Sequence, residues 1–212
     1  MRALAAVVLT LAVFVPTESG QVSATVVFVG DSNLVRASTQ LIETLSAPEV
    51  GAVPTFAARS GARVYWNGCW YFSPCYTPGD LQYWAHRLGA LPTPDVWVVN
   101  LGVNDALTAG SATTGGYSWY NQKIDYILGL ARGRPVIWTN LPCGIYPPEY
   151  QTGCAIINQA LWNAQPRWPN LRFANWRTVA ELHPEWVDGT VHLTTAGYAA
   201  YAALIKDELG QL

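Results

Sequence analysis

The chain has 212 residues, half of them hydrophobic and only 12% charged, with a formal net charge of -2 from 12 basic and 14 acidic side chains. That length suits one domain with a substantial core, and that composition excludes low-complexity disorder. The balance of charge lacks the concentrated basic face that nucleic-acid binding needs, so nucleic acid is not an expected partner.

The chain begins MRALAAVVLTLAVFVPTESGQVSA, with one basic residue, Arg2, before an apolar run from Ala3 to Val15. That run is short for a bilayer span but suits the h-region of a secretory signal, with small-residue cleavage patterns at Val22-Ser23-Ala24 and near Gly20. The expected organisation is a signal over residues 1–23 and a single domain over 24–212, secreted or held at the cell envelope. No later stretch is long and apolar enough for a transmembrane helix.

Five apolar, β-branched runs follow: VVFV (26–29), VPTFAA (53–58), VWVVNL (96–101), VIWTNL (136–141) and LRFANW (171–176). The runs VVFV and VWVV are almost continuously apolar, as strands buried on both faces of a parallel sheet are. Between them lie segments with helical spacing. Leu34, Leu41 and Leu45, with Val35 and Ile42 beside them, mark one helix face, and further helices are expected at 79–89, 117–131, 154–164 and 194–209. Alternating strands and helices predict βαβ units with helices on both sides of a central sheet. Ligands of such sheets bind outside the carboxyl ends of the strands, so chemistry is sought there.

The four cysteines form two local pairs in sequence, Cys69 with Cys75 and Cys143 with Cys154. Three connectivities are possible, and loop closure favours the two local disulfides in an oxidising compartment. A metal site is not expected, because the spacings are not Cys-x-x-Cys and the three histidines lie elsewhere.

Three strand ends and loops carry candidate chemistry. Ser32, in GDSN (30–33), follows the first strand and precedes a helix. Ser and Asp are ordinary helix caps, yet a nucleophile needs the same address, where a backbone N–H lies beside a developing oxyanion. Gly102-Val103-Asn104-Asp105 follows the third strand. It reads as a turn, or as the place where the Asn104 amide donates to an oxyanion while Asp105 braces the loop. Near the C-terminus, Asp188 and His192 precede the final helix, with Asp188-Gly189 also reading as a turn dipeptide. A general base needs an orienting partner of that kind.

Taken together, GDSN, GVND at 102–105 and the Asp188/His192 segment resemble the SGNH hydrolase superfamily, the GDSL-type esterases and lipases. AARSGARV (57–64), after the second strand, offers Gly61 for the glycine of that family's second block. The resemblance implies a three-layer αβα sandwich around a five-stranded, mostly parallel, flavodoxin-like sheet. It implies a serine carboxylic-ester hydrolase with a catalytic triad of Ser32, His192 and Asp188. The oxyanion hole would be built from the N–H groups of Ser32 and Gly61 and the side chain of Asn104, with no cofactor and no metal.

Two positions depart from the pattern. Asn33 stands where leucine commonly follows Gly-Asp-Ser, and Asp188 is four residues before His192 where three are usual. Glu185, or a backbone carbonyl, is the alternative partner for His192. His183 and His86 read as surface or packing residues. The aromatic segment 64–84, and Tyr117, Trp119 and Tyr120, read either as walls for a sugar or acyl group or as a local core. The expected substrate is a small-molecule, carbohydrate or lipid ester. An O-acyltransferase using the same triad and a non-catalytic carbohydrate-binding domain are the alternatives.

Overall fold

The computed structural model describes residues 23–64, 88–109 and 116–212. The signal, the Cys69–Cys75 pair, His86, the aromatic segment beyond Val64 and most of the helix expected over 79–89 lie outside the described residues.

Five strands, β1 (Thr25–Gly30), β2 (Val53–Ala58), β3 (Val96–Asn100), β4 (Val136–Thr139) and β5 (Leu171–Ala174), form one sheet in the order β2-β1-β3-β4-β5. Every pairing is parallel. The central strands β1 and β3 are the most continuously apolar, and Val26 through Val29 and Val96 through Val99 are buried. Strand β2 lies at an edge and alternates in exposure, which accommodates Pro54, a residue that cannot donate to a central ladder.

Helix α1 (Ser32–Leu45) buries Leu34, Ala37, Leu41 and Leu45, a stripe with the 3.6-residue period. Val35 and Ile42, expected beside that face, are more than 40% exposed, because each follows a stripe residue by one position, about 100° round the helix. Further helices among the described residues are α2 (Val103–Ala109), α3 (Gly116–Leu130), α4 (Pro148–Ala164), α5 (Trp176–Glu181) and α6 (Thr195–Leu209). Helix α1 packs on α6, whereas α4 packs on α2 and α3, giving a helical layer on each side of the sheet. This is the expected three-layer α/β architecture.

Three helices differ from the reading by spacing, and one of them, α5, opens at Trp176, a residue that reads as the end of the fifth apolar run. The helix expected at 154–164 begins at Pro148, which occupies a first-turn position where its missing N–H has no intrahelical partner to lose. Asn104 and Asp105, read as a turn, lie in the first turn of α2. Among the described residues no helix is long and apolar enough to cross a membrane.

Candidate active site

The chain leaves β1 toward β2 on one side and later returns to place β3 on the other, so the order reverses between β1 and β3. Gly30 at the end of β1 is level with Ala58 of β2 and Asn100 of β3. Ser32, Gly61 and Asn104 therefore leave three adjoining strands at one edge, within a few residues of that common level. This is the crevice where doubly wound sheets bind ligands.

Asp31 caps α1 by accepting the Asn33 backbone N–H at 2.9 Å, and the first internal helix bond runs from Val35 N–H to Asp31 O. The Ser32 N–H therefore belongs to the first turn, whose donors have no intrahelical acceptor. Asp31 itself is wholly buried, and one carboxyl oxygen, Oδ2, has no hydrogen-bond partner among the described residues. Burial, with Asp105 nearby adding to it, pushes its carboxyl up to about 7 against the opposing Asn33 hydrogen bond.

Gly61 occupies the third position of a turn closed by the Ala62 N–H donating to Arg59 O at 3.0 Å. Its φ of 76° is the left-handed conformation that only glycine takes without strain. The turn is tied to the start of α2 by two side chains. Asn104 Nδ2 donates to Ala62 O at 2.9 Å, and the Val64 N–H donates to Asp105 Oδ2 at 2.8 Å. An amide nitrogen carries two protons, so the Ala62 contact uses one of them. Asp105 is thus a brace. Tyr120 is buried against the same helix, its hydroxyl 3.5 Å from Asp105 O, while Tyr117 is half exposed. Tyr120 belongs to the core.

His192 comes from a hairpin-like loop. Val187 and Leu193 form an antiparallel bridge, the Asp188 N–H donates to His192 O at 3.0 Å, and Gly189 turns the chain with φ 82°. The loop ends at Thr194, whose hydroxyl caps α6 by accepting the Gly197 N–H. Because α6 packs on α1, the loop lies over the first turn of α1. Ser32 Oγ and His192 Nε2 are 3.0 Å apart across 160 residues of sequence. Burial, helped by the Arg36 charge and opposed by Asp188, holds the His192 pKa below its ordinary value. The ring is therefore neutral near pH 7 and has a lone pair to offer.

On the other ring nitrogen the partner is neither Asp188 nor Glu185. Thr190 Oγ1 lies 3.1 Å from His192 Nδ1, and the same hydroxyl donates to Asp188 Oδ1 at 2.5 Å. The Thr190 N–H also donates to that oxygen at 3.0 Å. Slight burial raises the Asp188 pKa, but the Thr190 hydrogen bonds, with the His192 and Arg36 charges, prevail and hold it below the usual carboxylate range. Glu185 instead pairs with His183 at 3.0 Å, and the His183 ring stacks on Trp186. The extra residue between Asp188 and His192 was the signal for Thr190: it places a hydroxyl two positions before the histidine.

Asn33 is the second residue that sequence reasoning passed over. Its Nδ2 donates to Val191 O at 2.9 Å, and its Oδ1 accepts the Leu193 N–H at 3.3 Å and the Tyr198 hydroxyl at 3.4 Å. The side chain next to Ser32 thus grips both neighbours of His192. Neutral serine beside an unprotonated histidine nitrogen, with first-turn N–H groups and an amide at the same sheet edge, is an arrangement suited to acyl transfer.

The chain matches the GDSL-like lipase/acylhydrolase family over residues 27–200. A search of curated proteins returned no match. Among solved structures it is similar to the C-terminal catalytic domain of the peptidoglycan O-acetyltransferase OatA from Streptococcus pneumoniae, at 20% identity and TM-score 0.58, covering 89% of this chain and 94% of that one. It is similar to a GDSL-like lipase from Bacteroides thetaiotaomicron, at 20% identity and TM-score 0.64, covering 89% of this chain and 88% of that one. It is also similar to LAE5, an α/β hydrolase enzyme from the metagenome of Lake Arreo, Spain, at 14% identity and TM-score 0.68, covering 88% and 95%. With the family matched over most of its length and the fold shared with those structures, the chain belongs to the GDSL-like lipase/acylhydrolase family.

Proposed function

We propose that the protein is an exported serine ester hydrolase working through an acyl-enzyme on Ser32, with a small acyl ester of a carbohydrate or a lipid ester as substrate. The observation that carries this reading is the 3.0 Å approach of Ser32 Oγ to His192 Nε2. Ser32 attacks the ester carbonyl as His192 Nε2 takes its proton. The N–H groups of Ser32 and Gly61 and the Asn104 amide donate to the tetrahedral oxyanion. His192 then protonates the leaving alcohol, and a water molecule, activated by the same ring, releases the acid. Losing one oxyanion donor typically costs about 10²–10³ in turnover.

The experiment is hydrolysis of p-nitrophenyl acetate and longer-chain esters by the mature chain, with Ser32→Ala alongside. Ser32→Ala is expected to fall to background on every ester that wild type cleaves. Folded wild type no faster than Ser32→Ala on all of them would overturn the reading and favour an O-acyltransferase or a carbohydrate-binding domain on this fold.

The same acyl-enzyme can be resolved by a sugar hydroxyl instead of water. This second reading is favoured by the fold shared with the pneumococcal domain named as a peptidoglycan O-acetyltransferase. Acylated sugar formed when candidate acceptors are added would distinguish transfer from hydrolysis.

Export is supported by the apolar run Ala3–Val15 behind Arg2 and by the Cys143–Cys154 disulfide, a bond that persists in oxidising compartments. The N-terminal mass of protein recovered from culture medium or cell envelope tests it.

A further inference from the structure

We propose that Thr190 is a positioning residue of this site: its hydroxyl stands between the Asp188 carboxylate and the His192 ring, and Asp188 orients the base only through it. The inference rests on the reading of Ser32 and His192 as nucleophile and base.

A hydroxyl has one proton to donate and two lone pairs to accept with. Thr190 Oγ1 has three neighbours that use all of this capacity. Asp188 Oδ1 lies at 2.5 Å, the short distance of a hydroxyl bonded to a charged carboxylate. The His192 backbone N–H donates to Oγ1 at 3.2 Å, and His192 Nδ1 is 3.1 Å away. An ionised carboxylate can only accept, so the Thr190 proton goes to Asp188. The remaining contact, with Nδ1, is attractive only when Nδ1 carries the ring proton. That leaves Nε2 unprotonated toward Ser32 Oγ, the tautomer a general base must have.

The loop holds these groups in place. Asp188 N–H to His192 O closes it, and the Thr190 N–H anchors the carboxylate from the backbone side. When His192 takes the Ser32 proton, Nδ1–H polarises against the Thr190 oxygen, whose own proton is drawn toward Asp188. No proton leaves Thr190 and no bond to it forms or breaks; the hydroxyl passes on an electrostatic preference.

Thr190→Val keeps the shape of the side chain and removes the hydroxyl, whereas Thr190→Ser keeps the hydroxyl. The expected result is a fall in kcat/KM of about 10²-fold for Thr190→Val, mostly in kcat, with Thr190→Ser recovering most of it. Asp188→Asn is expected to be damaging alone but to add much less than that loss to Thr190→Val, because the carboxylate reaches the ring by hydrogen bonding only through this hydroxyl and otherwise acts on it by charge alone. A second readout needs no substrate: NMR of protein labelled with ¹⁵N-histidine is expected to show His192 as the Nδ1–H tautomer, lost in Thr190→Val and kept in Thr190→Ser. Unchanged turnover in Thr190→Val, additive losses with Asp188→Asn, or an unchanged tautomer would each overturn the inference. Ester turnover independent of Ser32 would instead overturn the nucleophile reading, and the tautomer measurement would still decide the role of Thr190.

Discussion

At Asn33 a single side chain links the turn that carries Ser32 to the loop that carries His192. It satisfies the Val191 carbonyl and the Leu193 N–H, both in buried surroundings. Asn33→Leu restores the residue usual after Gly-Asp-Ser and strands both backbone groups, at a cost of about 1–3 kcal/mol each if water does not reach them. The expected outcome is a lower urea midpoint together with a lower kcat, because the histidine loses its hold on α1. A loss of stability with kcat intact would show that the loop positions His192 without Asn33. The pH dependence follows from His192. Its pKa is held down by burial and by Arg36, so the neutral base persists to lower pH than an ordinary histidine allows. Activity is expected to rise with pH along an acid limb whose midpoint lies below about 6.5. Arg36→Gln removes a positive charge and should move that midpoint upward, with added salt narrowing the difference. Profiles of kcat/KM against pH for the two proteins check the sign.

Among the elements, α2 shows how packing positions a candidate catalytic group. Gly102, with φ 130°, lets the chain turn from β3 into α2, and Gly153 of α4 lies directly against the α2 backbone at Ala106. A methyl group at Gly153 would lie 1.8 Å from the Ala106 carbonyl oxygen, inside backbone that has no side chain to swing away. Gly153→Ala must therefore push α2 and α4 apart, at a cost of about 3 kcal/mol or more. The expected outcome is a marked drop in melting temperature. In whatever folded protein remains, turnover should fall too, because Asn104 moves with α2. Unchanged melting would show that the two helices can separate freely. The runs of β1 and β3 were legible because burial on both faces leaves a continuous apolar signature. Helices α2 and α5 were not, since each is only two turns or less, the first residues of α2 also suit a turn, and Trp176 at the start of α5 reads as the end of a strand. The start of α4 was hidden by Pro147-Pro148, which reads as a loop until the second proline is seen at a helix start.

For the molecule as a whole, the Cys143–Cys154 disulfide pins the turn after β4 to the second turn of α4, closing a loop with a sequence separation of 11. A loop of that size restricts the unfolded chain by about 2–3 kcal/mol. Cys143→Ser/Cys154→Ser is expected to lower the urea midpoint by a corresponding amount. Ser32, Gly61, Asn104 and His192 all lie outside residues 143–154, so ester turnover is expected to be retained under native conditions as long as α2 keeps its seat on Gly153; loss of activity in folded protein would show that the disulfide helps to hold that seat.

Local pattern alone determined that this is an α/β chain with five strands, the first and third of them buried on both faces. It also singled out Ser32, Asn104, Asp188 and His192, since each lies in a short motif at a strand end or ahead of a helix, while Gly61 came from the family resemblance those motifs carry. Such features are written in consecutive residues, as apolar runs, caps and turn dipeptides, and need no distant partner to be read. The tertiary structure alone decided which groups meet. Asn33 reaches Val191 and Leu193 across roughly 160 residues, and Thr190, not Asp188, faces the His192 ring. Those contacts depend on α6 packing against α1 and on how a five-residue loop closes. Hydrogen bonds are directional and short-ranged, so their partners follow from three-dimensional placement and leave no periodic trace along the chain.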